Sequence, residues 1–296
     1  MYVYILAILS MLFWGMSFVW SSIVFQYYPP VTTVFLRLVI SAALLFAGIK
    51  LFGRMEGIVR KDYKLFFLSA LFNPFLYFLG ESYGLKYSSP TISAVVIATI
   101  PLFTPVAAYY ILGEKLRIMN IIGIVISFAG IIVMLANKDF IISASPSGIA
   151  FLLFAVGSAI AYSVYLKRLS KKYSAVFIIA VQNLLGAIYF FPVFLLLDFN
   201  EFISVPLNFR LVSSLLALAI FCSSLAYVFF TISTREIGIS KTNIFANLIP
   251  VFTAVFSYFI LAEYFNAQKI AGMAIVLLGL YLSQINKRPR PVQYTG

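Results

Sequence analysis

Two ionisable side chains stand inside long apolar runs. Arg37 lies within the run at about 32–52 and Glu81 within the run at about 64–85. If those runs cross a bilayer, both charges fall in the outer third of its core. Charges at such depth are costly, face the protein interior and mark pathways. A mutual Arg37–Glu81 pair is the direct expectation, with snorkelling of Arg37 to the interface as the competing one. Proton coupling through Glu81 is a weaker expectation, requiring Arg37 to withdraw. Asn243 and Asn247 stand four apart, one helical turn ahead of Pro250. Pro101 holds the matching place in an earlier run, about 16 Å from its start at 1.5 Å per residue. Each proline removes a donor and frees a carbonyl four residues back, at Ile97 and Ala246. A freed carbonyl in hydrocarbon needs a neighbour, water or a ligand. Pro101 and Pro250 are therefore candidate hinges, and an ordinary kink is the alternative.

The remaining candidate ligand-binding residues are aromatic, hydroxyl and amide side chains: Trp14, Ser17, Asn73, Tyr77, Tyr162, Gln182 and Tyr227. Packing or lipid contact explains any single aromatic equally well, and interhelical hydrogen bonding explains the asparagines. There is no histidine and one cysteine, Cys222, so His-based triads and His/Cys metal sites are excluded. No catalytic residue, metal or cofactor is expected. No GxxxxGK[ST] loop is present, which argues against nucleotide hydrolysis.

These residues must be held by membrane helices. Of 296 residues, 63% are hydrophobic and 10% charged, against roughly 25% charged in soluble domains. Runs of about 20 apolar residues span a bilayer. They are expected at about 3–25, 32–52, 64–85, 90–112, 119–136, 147–167, 175–197, 209–231, 240–261 and 267–285. The first is read as a membrane helix because no basic segment precedes it. Sixteen Lys and Arg fall in alternate connections and the tail, and four on the other side. By the positive-inside rule both termini are cytoplasmic. The same rule accounts for the net charge of +12 without a nucleic acid.

A shift of 149 residues aligns 100–130 with 249–279 at thirteen of 31 positions without a gap. Pro101, Glu114, Gly123 and Gly130 meet Pro250, Glu263, Gly272 and Gly279. The fold expected is an all-α integral membrane protein with ten transmembrane helices in two five-helix repeats, 1–140 and 141–286, and a basic cytoplasmic tail at 287–296. Five is odd, so the copies cross in opposite senses, an architecture used for alternating access. The glycines are read as packing seams. Glu114 and Glu263 are placed at the cytoplasmic ends of helices 4 and 9, as caps or partners of loop bases. Asn243 and Asn247 correspond to Ala94 and Ala98, so this face has diverged between the copies.

With Phe13-Trp14-Gly15, Arg37 and the Pro…Gly/Ala-Glu…Gly…Gly pattern closing both halves, nearly the whole chain resembles the ten-helix EamA-type members of the drug/metabolite transporter superfamily. Ala262 stands where the motif prefers Gly. The resemblance implies a central cavity within helices 1–4 and 6–9. It sets helices 5 and 10 to the side as packing or homodimer elements. It further implies export of amino acids or related metabolites. The function expected is secondary transport of a small polar or amphipathic metabolite across a bacterial cytoplasmic membrane. A channel or lipid scramblase, and then a membrane-embedded enzyme, are the alternatives.

Overall fold

The computed structural model describes residues 2–103, 118–135, 145–238 and 242–284. Every regular element among them is helical. We label α1 (Tyr2–Val24), α2 (Pro30–Leu51), and α3, made of Tyr63–Ala70, Leu71–Leu76 and Tyr77–Lys86. Next come α4 (Pro90–Phe103), α5 (Ile118–Leu135), α6 (Pro146–Leu169), α7 (Ala175–Leu197) and α8 (Phe209–Ile237). The last two are α9, made of Asn243–Asn247 and Leu248–Leu261, and α10 (Ala267–Gln284). Six of these (α1, α2, α3, α6, α7 and α8) are long and apolar enough to cross a membrane; the other four are shorter. The second half of the expected fourth span, with Glu114, lies outside the described residues, as do the tail and Lys138.

The starts follow from local chemistry. Pro30, Pro90 and Pro146 occupy the first turns of α2, α4 and α6, where a missing N–H costs nothing. Ser89 caps α4 by accepting from Ile92 N at 3.3 Å, and Asn208 caps α8 by accepting from Leu211 N at 2.9 Å. Two further starts are served from a distance. Asp198, just past the end of α7, accepts from Thr32 N at 2.9 Å and Thr32 Oγ1 at 3.0 Å, in the first turn of α2. Glu56, past the end of α2, accepts from Ser174 N at the start of α7, at 3.2 Å to each oxygen. The two helices pack together along their length, each with a carboxylate from beyond its partner's end at its positive pole.

Around this pair α3 packs on α6, α1 on α8 and α9, and α4 on α6 and α9. α5 and α10 pack on each other. A Cβ on Gly130 would meet Val276 N at 2.7 Å and Gly272 O at 2.8 Å, and one on Gly272 would meet Met134 N at 2.6 Å. Their glycine faces are therefore occupied within the chain.

Four helices lose regular winding near the middle of the bundle. α3 passes through a π segment, Leu71–Leu76, in which Asn73 is extended (φ −147°, ψ 119°) ahead of Pro74. α8 carries a π segment at Leu218–Leu225. α4 is regular only to Ile97 and turns at Ala98 and Thr99 before Pro101. α9 begins as a 3₁₀ helix, Asn243–Asn247, and becomes α at Leu248, just before Pro250. In α3, α4 and α9 a proline, Pro74, Pro101 or Pro250, cannot donate to the turn behind it, whereas the π segment of α8 contains no proline.

One placement needs correction. Glu263 accepts from Thr91 Oγ1 at 2.8 Å and pairs with Lys269 at 3.1 Å. Thr91 belongs to the first turn of α4, so Glu263 lies where α4 begins. The expectation put it at the end where that helix finishes, so the two ends are exchanged. It ties the end of α9 to the first turns of α4 and α10.

Candidate functional site

A cavity of about 90 Å³ lies among α1, α2, α3, α4, α6, α8 and α9. Of the candidates, it gathers Trp14, Ser17, Arg37, Asn73, Tyr77, Glu81, Pro101, Tyr162, Tyr227 and Asn243. Phe78 and Phe230 complete an aromatic wall that the sequence reading omitted. Trp14 meets Tyr227 edge-on at 5.0 Å and Phe230 at 5.0 Å between ring centroids. Trp14 can sit there because Gly15 lets α9 approach α1 closely. A Cβ at Gly15 would meet Ile249 O at 3.1 Å, and Thr253 Oγ1 donates to Gly15 O at 3.0 Å. The indole Nε1 of Trp14 is buried without a hydrogen-bond partner.

Arg37 and Glu81 both line the cavity and are 2% and 8% exposed, but no nitrogen–oxygen approach of 4.0 Å or less joins them. The direct pair expected from sequence is absent from this state. Arg37 Nε instead donates to Ser223 Oγ at 2.7 Å, and its Cζ lies 4.3 Å from the centroid of the Phe78 ring. Glu81 Oε1 accepts from Tyr77 OH at 2.9 Å, one turn back on α3. The sequence could not show this, because Ser223 reaches the site only through the irregular segment of α8. Behind Arg37 a polar layer keeps Ser223 in place. Asn183 Nδ2 donates to Ser223 O at 2.9 Å and to Ser41 Oγ at 2.7 Å, and Ser41 and Ser224 share a hydrogen bond of 2.6 Å. The guanidinium therefore keeps terminal nitrogens without partners among the described residues, and Glu81 keeps one such oxygen.

The two asparagines part company. Asn243, Ala246 and Ile249 line the cavity, and Asn247 does not. Residues three apart eclipse in a 3₁₀ helix, so a residue four apart is turned away by about a third of a turn. The expected shared face assumed α winding. Asn247 Oδ1 is left buried without a partner. Pro250 is also buried and off the lining, while Pro101 is on it. Gln182 stands one layer back. It accepts from Tyr162 OH at 3.2 Å and donates to Ser69 Oγ, which positions a lining residue. Asn73 donates from Nδ2 to Tyr227 OH at 3.4 Å, across the break in α3. That break had a visible signal, Pro74 in mid-run, which the sequence reading passed over. Ser17 donates to Trp14 O at 2.6 Å, so only its lone pairs face a ligand.

The lining can thus offer a cation, a carboxyl, an indole N–H and several π faces in one enclosed volume. Among the described residues no group of three or more Cys, Asp or Glu could hold a metal.

Comparison with known proteins places this geometry. The profile of the EamA-like transporter family matches residues 1–136 and 146–284. An uncharacterized transporter of Archaeoglobus fulgidus is 28% identical over 279 residues, covering 94% of this chain and 97% of its own. The uncharacterized transporter YvbV of Bacillus subtilis is 25% identical over 294 residues, covering 96% and 92%. A crystal structure at 19% identity matches with a TM-score of 0.67 over 96% of this chain and 98% of that one, which bears on the fold alone.

Proposed function

The chain belongs to the EamA-like transporter family, and we propose that it is a secondary transporter exporting a small zwitterionic metabolite, such as an amino acid, by alternating access. One observation carries the reading: Arg37 and Glu81 line one aromatic cavity without a direct ion pair between them. A cargo carboxylate would take the free guanidinium nitrogens and the Trp14 N–H. A cargo ammonium would take the free Glu81 oxygen and the faces of Tyr227 and Phe230. At about 90 Å³ the cavity suits a small cargo in this state.

Ten spans in two inverted repeats supply the access cycle. The repeat reading is supported by the two profile matches and the reciprocal carboxylates of α2 and α7. It is also supported by the π segments of α3 and α8, which fall at the same place under the 149-residue shift. Opposed repeats rocking about the cavity would open it to either side. In the cycle Arg37 and Glu81 meet in one state, and in the state from which Arg37 withdraws a proton on Glu81 takes its place. A homodimer through α5 and α10 would use their outward faces, since their glycine faces meet each other.

The test compares metabolites released by cells producing the wild-type chain, Arg37→Ala, Arg37→Lys and Glu81→Gln. Folding is checked by monodispersity and by protection of the buried Cys222 thiol. Losing a charge-assisted contact of about 2 kcal/mol lowers transport efficiency roughly 30-fold. Zwitterions should therefore vanish from the medium in the Ala and Gln variants, with partial retention in Arg37→Lys. Unchanged release from folded variants would sink the reading. A steady conductance in proteoliposomes would point to a channel instead.

A further inference from the structure

A second concavity, of about 570 Å³, opens at the end of the bundle where α3 begins and α6 ends. It shares no lining residue with the central cavity. Five cations converge on it from two connections and the adjoining helix ends: Lys61, Lys64, Arg168, Lys171 and Lys172. Its one acid is Asp62. Asp62 is 4% exposed and fully engaged, accepting from Lys172 Nζ at 2.7 Å and from Tyr173 OH at 2.9 Å. The nearby Glu56 is also engaged, with both oxygens on Ser174 N. Asp62 cancels Lys172. The side chains of Lys64, Arg168 and Lys171 make no hydrogen bond or ion pair among the described residues, and Lys61 reaches Asp62 only through space.

A bias of basic residues toward one membrane face would scatter them along the connections. Here five of them line one cup, and the connections that carry them are tied to each other. Tyr173 OH accepts from Val59 N at 3.2 Å while donating to Asp62, and the Phe66 ring packs edge-on to Tyr173 at 5.2 Å. Burial pushes the Tyr173 phenol above its ordinary range. The α2–α3 and α6–α7 connections are thereby tied together, and the cations of the cup surround a single, already engaged acid. Such a cup suits an anion. Three lysines and one guanidinium match the several acceptor oxygens of a phosphate, with Arg168 able to grip two at once. Leu65, Leu68 and Tyr165 form the rest of the wall.

We propose that this cup is a binding site for a phosphate group, independent of the transport reading. Its source is either the headgroup of an anionic phospholipid, for which basic pockets between membrane helices are suited, or a soluble phosphate compound. The test uses the purified full-length protein in neutral detergent. It titrates dioctanoyl phosphatidylglycerol, dioctanoyl phosphatidylcholine and inorganic phosphate, reading bound mass by native mass spectrometry and melting by Cys222 reactivity. The anionic lipid should bind at least about 10-fold tighter than the zwitterionic one and raise the melting temperature. R168Q/K171Q and K61Q/K64Q should each erase that preference. K50Q/R54Q, with the same charge loss at residues outside the cup, should keep it. Inorganic phosphate that binds and displaces the lipid assigns the site to soluble phosphates; lipid binding that phosphate leaves intact assigns it to the headgroup. Equal binding of both lipids with no effect of phosphate would overturn the site, as would equal weakening by K50Q/R54Q.

Discussion

Asp198→Ala should destabilise the bundle by about 2–4 kcal/mol. Asp198 is 6% exposed and Thr32, which it serves, is 0% exposed. The carboxylate accepts from Thr32 N at 2.9 Å and Thr32 Oγ1 at 3.0 Å. Without it the hydroxyl can turn to a carbonyl of the preceding turn. The amide cannot, and a buried donor left unpaired costs about 1–3 kcal/mol. The lost charge at the N-terminus of α2 adds about 0.3–1 kcal/mol, more where the charge is partly buried. Asp198→Asn keeps an acceptor of the same shape and should lose only about 1 kcal/mol. At roughly 2–4 °C per kcal/mol, the alanine variant should melt roughly 5–15 °C below wild type and the asparagine variant a few degrees below. The assay is thermal unfolding in detergent with a thiol-reactive fluorophore. Cys222 is the chain's one cysteine and is 0% exposed, so it reports opening of the bundle. An alanine variant melting within about 1 °C of wild type would refute the account, because the amide would then have another partner.

Two further outcomes follow from the backbone and the topology. Ala262 ends α9 in the left-handed region (φ 53°, ψ 35°), with Glu263 N donating back to Ser257 O at 3.1 Å. A side chain there costs about 1–2 kcal/mol and glycine's extra chain freedom returns about half of that, so Ala262→Gly should raise the melting temperature by a few degrees; a fall would show the left-handed end is not the strained one. With Cys222 buried, Ser145→Cys should react with an impermeant maleimide in intact cells, and Lys171→Cys only after permeabilisation. The reverse pattern would invert the proposed orientation.

An all-helical, apolar chain and about half of the cavity lining can be read from the residues alone. Runs of about 20 apolar residues have one stable form in hydrocarbon, since each backbone group must bond within its own segment. A charge or amide inside such a run must turn inward, and so Arg37, Glu81, Asn73 and Asn243 were legible as lining before any packing was known. Ala262 was visible too, as an exception to a glycine position, and the left-handed turn supplies the reason. What the tertiary structure decided were the partners. Arg37 meets Ser223, 186 residues away, and Asp198 meets Thr32, 166 residues away. No spacing rule reaches across such gaps. Asn247 was misplaced because a downstream proline tightens the winding, and a change from 3.6 to 3 residues per turn moves a side chain from cavity to packing. The basic cup was hidden for a related reason. A count of lysines and arginines gives their expected side of the membrane, but only folding shows that Asp62 and Glu56 are already engaged, leaving four of those charges around one cup with no ion pair among the described residues.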